Sequence, residues 1–286
     1  MILVFGRTGQ LATELGRAAP DAVLLGRGEA DLADPGACAE AIAARAPSAV
    51  INAAAWTAVD AAETEEDAAR TVNAQAPAAM ARACAAAGIP FLTVSTDYVF
   101  DGTGEAPWAE DAPTGPLGAY GRTKLEGERA VAEVGGTWAV LRASWVVSAH
   151  GGNFARTMLR LGAERDALRV VDDQVGAPTP AADLARVLLA MAARMQEPDP
   201  PTGLFHLASR PHVSWAGLAA YVMERAGLNC RIEPIPSSEY PTPAARPLNS
   251  RLAGERLERE FGIAPIDWRP GLDAILAELG ASKETT

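Results

Sequence analysis

The sequence is poor in cysteine. Cys38, Cys84 and Cys230 are scattered through 286 residues with no Cys-x-x-Cys pair, and His150, His206 and His212 show no metal-ligand spacing with them. Neither a disulfide framework nor a structural zinc site fits that pattern; free, buried thiols in a reducing cytosol are expected, and no metal ligands are assigned. Basic residues are in deficit, 25 Lys+Arg against 36 Asp+Glu, for a net charge of -11. A surface so acidic repels phosphate backbones, which argues against a nucleic-acid partner. A phosphorylated small molecule remains compatible, because it needs only a local cluster of donors. Apolar runs are short, none reaching the roughly 18 residues of a spanning helix. The opening "MILVFGRTG" has no basic stretch ahead of a long apolar one and reads as a strand entering a turn. A cytoplasmic protein without a membrane partner is therefore expected. Aromatics are scarce at 6% and alanine is abundant, so the core is expected to use small side chains and closely approaching helices.

What is present alternates regularly. Apolar strands are expected at Ile2 to Phe5, Ala22 to Gly26, Ala49 to Ala55, Pro90 to Thr96 and Trp138 to Ser144. Between them fall helical stretches. One begins at an Asp34 cap followed by Pro35, one runs over about 67–87 and is stopped by Gly88, and one carries Tyr120 to about Val134. Strand, helix, strand, repeated with continuously apolar strands, implies a Rossmann-like α/β fold: a doubly wound parallel sheet with helices on both faces. Past Val146 the pattern changes, and a smaller C-terminal substrate-binding domain is expected. The boundaries read as 1–145 plus about 168–195 for the dinucleotide unit, and about 146–167 plus 196–286 for the substrate unit. The polar tail "ASKETT" is expected to fray.

"FGRTGQLA" places Gly6, Gly9 and Ala12 directly after the first strand and at the mouth of a helix. Gly6 suits a tight turn, Gly9 lets backbone approach a pyrophosphate, and Ala12 lets helix and strand pack closely. The helix N-terminus then offers free N–H groups to phosphate. At the end of the second strand, NAD sites often carry an acid for the ribose hydroxyls. Here stand Gly26 and Arg27, with Arg7 in the glycine loop, and both arginines could meet a 2′-phosphate. That leans the expectation toward NADPH, with NADH possible. Asp31 and Leu32 lie where an adenine ring is held, and Ala55, Trp56 and Thr57 follow the third strand.

Tyr120 and Lys124 are four apart on an expected helix and so share a face. An ammonium beside a phenol favours the phenolate and is expected to lower the tyrosine pKa from about 10. In a carbonyl reduction hydride reaches carbon and a proton must reach oxygen; Tyr120 can donate it. Lys124 can also hold a nicotinamide ribose. Thr96, at the C-terminal end of the fourth strand, can hydrogen-bond the carbonyl oxygen, because open α/β sheets bind ligands at that edge.

On these motifs the chain resembles the extended short-chain dehydrogenase/reductases, and within them the dTDP-4-dehydrorhamnose reductases. The likeness also rests on "VINAAAWTAVDAAE", "STDYVFDG", "PWAEDAPTGPLGAYGRTKLEGE", "RASWV", "NFARTMLRL", "DDQVGAPT" and "YPTPAARPLNSRL". It implies reduction of the C4 ketone of dTDP-4-dehydro-L-rhamnose by NAD(P)H. It implies dinucleotide contacts from Gly9, Gln10, Leu11, Asp31, Leu32, Ala55, Trp56 and Thr57, a catalytic set of Thr96, Tyr120 and Lys124, and sugar-nucleotide contacts from Thr96, Asp97 and Trp145. Asn153 is a further substrate-contact candidate, or else a helix cap; Arg246 and Arg251 could meet a diphosphate or simply face solvent. Some such enzymes hold magnesium on acidic residues at a homodimer interface, for which Glu278 is the candidate here.

Two other readings stand beside this one. A nucleotide-sugar dehydratase or epimerase is the first, but dehydratases of this superfamily follow the threonine with Asp-Glu, whereas Tyr98 follows Asp97 here. A non-catalytic regulatory subunit, like that of methionine adenosyltransferase, is the second; the intact Thr96, Tyr120 and Lys124 argue against it.

Overall fold

A computed structural model describes residues 1–282; residues 283–286, the end of the tail expected to fray, lie outside the described residues. The first half runs β1 (Ile2–Phe5), α1 (Gln10–Ala18), β2 (Val23–Leu25), α2 (Pro35–Arg45), β3 (Ala49–Asn52), α3 (Val59–Ala62), α4 (Glu66–Arg70), α5 (Ala76–Ala87), β4 (Phe91–Thr96), α6 (Ala119–Val134) and β5 (Trp138–Ala143). The second half follows with β6 (Val146–Val147), α7 (Phe154–Glu164), β7 (Ala167–Val171), β8 (Val175–Gly176), β9 (Thr179–Pro180), α8 (Ala181–Arg194), β10 (Gly203–His206), β11 (Ser209–Arg210), β12 (Val213–Ser214), α9 (Trp215–Ala226), β13 (Arg231–Ile235), α10 (Glu255–Phe261), β14 (Ile266–Asp267) and α11 (Trp268–Glu278).

Six parallel strands form the central sheet in the order β10-β5-β4-β3-β1-β2. Alternate residues of each strand face opposite sides, and both sides are buried. Val4, Ile51, Leu92 and Leu141 pack with Leu11 and Leu15 of α1 and Leu184, Leu188 and Met191 of α8. Leu3, Phe5, Val50, Phe91 and Val140 pack against Cys38 and Ile42 of α2, Met80 and Cys84 of α5, and Val131 of α6. The strand order reverses between β1 and β3, which opens a crevice at their C-terminal ends, where ligands bind in such sheets.

The expected helix over 67–87 is present but not uniform. A π-helical turn, Thr71–Gln75, joins α4 to α5. Pro77 explains it: with no N–H to donate, proline leaves the carbonyl of Asn73 without an α-helical partner. α6 closes over that carbonyl. A Cβ on Gly127 would stand 2.1 Å from Asn73 O, so only glycine admits this approach.

The strand pairings after Val146 cross the boundaries expected from the sequence at two places. β7 pairs with β13 over Ala167–Val171 and not with the central sheet, whereas β10 pairs with β5 and joins it. Around β7 and β13 a separate core gathers Ala155, Met158, Leu168, Val170, Leu218, Val222, Trp268 and Leu272. Among the described residues, no helix is long and apolar enough to cross a membrane.

Candidate active site

β4 ends at Thr96, whose side chain caps the 3₁₀ turn Asp97–Val99 by accepting from the Tyr98 N–H at 3.2 Å. The Thr96 hydroxyl donates to Asp97 Oδ1 at 3.1 Å. α6 begins just across from this turn, where Glu63 Oε1 accepts its first N–H, from Ala119, at 2.8 Å. The approach is close because position 121 is glycine. A Cβ there would lie 2.2 Å from the carbonyl oxygen of Tyr98 and 2.9 Å from Pro116 Cβ. Tyr120 is thereby set beside Thr96, its ring edge-on to that of Tyr98 with centroids 5.5 Å apart.

Burial pushes the Tyr120 phenol up to about 12; the Thr96 hydroxyl opposes that rise and the negative charge of Asp97 adds to it. The sequence-based expectation of a lowered tyrosine pKa is therefore corrected. Lys124 does not face the phenol: Nζ donates to the carbonyl of Val94 at 2.6 Å. Burial pulls the ammonium down to about 8, against the opposing charge of Glu128. Removal from water outweighs the attraction between neighbours here. Asp97, fully buried, is pushed up to about 6 by the same cause, partly offset by the Ser250 and Thr96 hydroxyls. Its Oδ2 is buried with no hydrogen-bond partner among the described residues.

The glycine turn lies across the sheet from this cluster. Gly6 adopts φ +117, and a Cβ on it would meet Ala12 Cβ at 3.2 Å and the Ala53 carbonyl carbon at 3.5 Å. Gly9 caps α1, and a Cβ on it would meet nothing within 4 Å, so the helix N-terminus stands open. Leu11 is buried, while Gln10 points its amide oxygen to Asn153 Nδ2 at 3.0 Å. After β3 comes the stretch Ala55, Trp56 and Thr57. Trp56 is fixed by Asn73, which accepts its N–H at 2.9 Å and donates to its carbonyl at 3.2 Å. Asp31 closes a local turn by accepting from the Ala33 N–H at 3.0 Å, and Leu32 is buried with Leu25 and Ala30. Arg27 is exposed and makes no hydrogen bond or ion pair among the described residues, whereas Arg7 is paired with Glu29 at 2.7 Å.

On the other side of the cleft Trp145 takes a left-handed backbone, φ 50, just past β5. Its indole stacks on that of Trp215 with centroids 3.6 Å apart and planes 13° from parallel. Gly176 makes room, since a Cβ there would sit 3.0 Å from the Trp145 ring. Trp215, which no sequence signal singled out, is oriented by Gln174 Oε1 at 3.2 Å. Asn153 caps α7 by accepting from the Arg156 N–H at 3.1 Å, and its amide nitrogen donates to Gln10 and to the Ser148 carbonyl. It bridges the glycine turn to α7. Arg246 is taken up by Asp60 at 3.0 Å, and Arg251 by Asn249 at 2.9 Å. Glu278 gives both carboxylate oxygens to Arg17, at 2.7 and 3.0 Å. Among the described residues of this one chain no group of three His, Cys, Asp or Glu could hold a metal ion.

Residues 1–281 match the RmlD substrate binding domain family. A dTDP-4-dehydrorhamnose reductase of Burkholderia thailandensis is 44% identical, the match covering 97% of this chain and 98% of the relative. The enzyme of the same name from Escherichia coli K12 is 41% identical over 97% of each chain. A crystal structure of a dTDP-4-dehydrorhamnose reductase from Clostridium acetobutylicum superposes with a TM-score of 0.91 at 34% identity, covering 98% of this chain and 99% of that one. One from Bacillus anthracis, in complex with NADP, also gives 0.91 at 29% identity, covering 97% and 98%. With sequence and fold matched from end to end, the chain belongs to the RmlD substrate binding domain family.

Proposed function

We propose that the protein reduces the C4 ketone of dTDP-4-dehydro-L-rhamnose to dTDP-L-rhamnose, using NAD(P)H. A nicotinamide dinucleotide fits the residues present: the open N-terminus of α1 at Gly9 and the positive-φ turn at Gly6 leave backbone free for a pyrophosphate. When bound, the reduced coenzyme supplies the hydride. The observation that carries the reading is the meeting of Thr96, Tyr120 and Lys124 at the C-terminal end of β4, beside the strand-order reversal.

The protein's own groups then divide the remaining work. A phenol held up near 12 stays protonated at neutral pH, the form that can give a proton to the developing alkoxide. The Thr96 hydroxyl, already beside that phenol, holds the carbonyl oxygen in line with it once its proton turns from Asp97 Oδ1 to the ketone. Lys124, one helical turn beyond Tyr120 and turned to the Val94 carbonyl, holds the nicotinamide ribose on this reading. The unpaired Asp97 Oδ2 takes a sugar hydroxyl, and the stacked Trp145 and Trp215 wall the sugar-nucleotide side. We take the six-stranded sheet as the dinucleotide unit and the β7–β13 unit as the substrate side. Purified protein should consume reduced coenzyme only when dTDP-4-dehydro-L-rhamnose is added, and should form dTDP-L-rhamnose in equal amount. Coenzyme that stays reduced, with the protein instead co-purifying with a transferase, would favour the regulatory-subunit reading.

A further inference from the structure

The second strand ends without an acid in sequence, but not in space. Glu29, three residues beyond Gly26, folds back so that its Oε2 accepts the Gly26 N–H at 2.9 Å. A Cβ built on Gly26 would lie 3.6 Å from that oxygen. The carboxylate therefore stands where a side chain at position 26 would have delivered one. Arg7 of the glycine turn locks it there, donating to Glu29 Oε1 at 2.8 Å and to the Leu24 carbonyl at 2.6 Å. Both side chains are partly open to solvent, at 51% and 38% exposure, so a ligand can reach them. Arg27, the other basic candidate for a 2′-phosphate, reaches neither.

We infer that Glu29 is the residue that discriminates between the two nicotinamide dinucleotides, its carboxylate accepting the ribose 2′-hydroxyl and repelling a 2′-phosphate. The inference rests on the proposed use of NAD(P)H. The end of the second strand is where the adenosine ribose lies in sheets of this topology. An anion fixed at that point gains a charge-assisted hydrogen bond from a hydroxyl and suffers like-charge repulsion from a phosphate. Arg7 commits its Nη2 to Glu29 and to the Leu24 carbonyl, so its charge is already set against the carboxylate. The carboxylate is anionic well below neutral pH, because the Gly26 N–H and then Arg7 lower its pKa. The lean toward NADPH was drawn from Gly26 and Arg27 alone, without this acid.

The test compares wild type with Glu29→Ala and Glu29→Gln in two assays. One is kcat/KM for NADPH and for NADH with dTDP-4-dehydro-L-rhamnose. The other is calorimetric binding of adenosine 2′,5′-bisphosphate and of adenosine 5′-diphosphate to the protein alone. Both variants should raise the NADPH-to-NADH ratio of kcat/KM by about tenfold or more, and the bisphosphate-to-diphosphate affinity ratio likewise, the scale of one charge-assisted contact. Ratios unchanged or lowered in the variants would overturn the role of Glu29. Wild-type protein that binds the nucleotides yet turns over neither coenzyme would overturn the reductase reading instead, and the affinity ratio would still decide Glu29.

Discussion

Lys124 donates to the carbonyl of Val94 at 2.6 Å and makes no bond to Tyr120, four residues before it on the same helix. Its ammonium is buried, with a pKa of about 8 against an ordinary 10.5. Between those two pH values the unfolded chain binds more protons than the folded one, so this group makes stability rise as pH climbs from about 8 to 10.5. Below that window the cost of burying the charge is present in full. Lys124→Met removes the group. Measured without nucleotide, wild type should therefore gain stability relative to the variant across the window, by on the order of 3 kcal/mol. Thermal unfolding of both proteins from pH 7 to 11 checks the sign; a difference independent of pH would refute it.

Tyr120→Phe removes only the phenol oxygen. The ring keeps its packing on Ala62, Ala69 and Ala119 alongside Trp56. Turnover should fall by about 10²-fold or more with little change in the KM for coenzyme, the scale of lost general-acid catalysis. Steady-state kinetics on the folded variant gives the answer, and unaltered kcat removes Tyr120 from the proton step.

Gly121→Ala is a sharper probe of placement. Its new methyl would meet a backbone carbonyl, Tyr98 O at 2.2 Å, which cannot swing aside as a side-chain tip could. α6 must lift from the end of β4 and carry Tyr120 away from Thr96. Although alanine favours helix over glycine by nearly 1 kcal/mol, the overpacking should cost roughly 1–3 kcal/mol. We expect a lower melting temperature and a kcat loss of at least about tenfold, since misplacement of about 1 Å costs that much or more. A variant as stable and as active as wild type would show that the helix has slack the geometry denies.

Glu128 and Arg142 form an ion pair with both side chains nearly fully buried, at 2.6 and 2.9 Å. Arg142 also donates to His206 Nε2 at 3.1 Å and lies 4.9 Å from the centre of the Phe100 ring. His206, held neutral at pKa about 3 by burial and then by Arg142, is the acceptor in that bond. Glu128→Gln would leave the guanidinium without its counter-charge and should cost about 3–5 kcal/mol. Replacing both partners by apolar residues should cost less than the single change. Urea midpoints of the single and double variants decide between these.

The sequence was most legible where chemistry is local. A glycine turn at Gly6 and Gly9 needs no distant partner to be recognised, nor does a Tyr-Lys pair one turn apart on a helix. What it hid depended on contacts between remote segments. Whether Lys124 faces Tyr120 or Val94 is decided by how α6 lies on β4. Glu29 looks like an ordinary surface acid until its carboxylate folds back onto Gly26. Arg27 is exposed and unpaired among the described residues, and position without direction is all a sequence supplies for it. The membership of β7 and β10 was obscure for a similar reason: two apolar strands of similar length carry no mark of which sheet will accept them.

Asn73 sits in the π turn that Pro77 imposes, and its one amide group holds both the Trp56 backbone and the Thr123 hydroxyl. Thr123 in turn donates to the carbonyl of Tyr120 at 3.0 Å. The segment after β3 that carries Trp56 and the helix that carries Tyr120 are thus riveted to a common pin. Displacing either one strains the hydrogen bonds that secure the other.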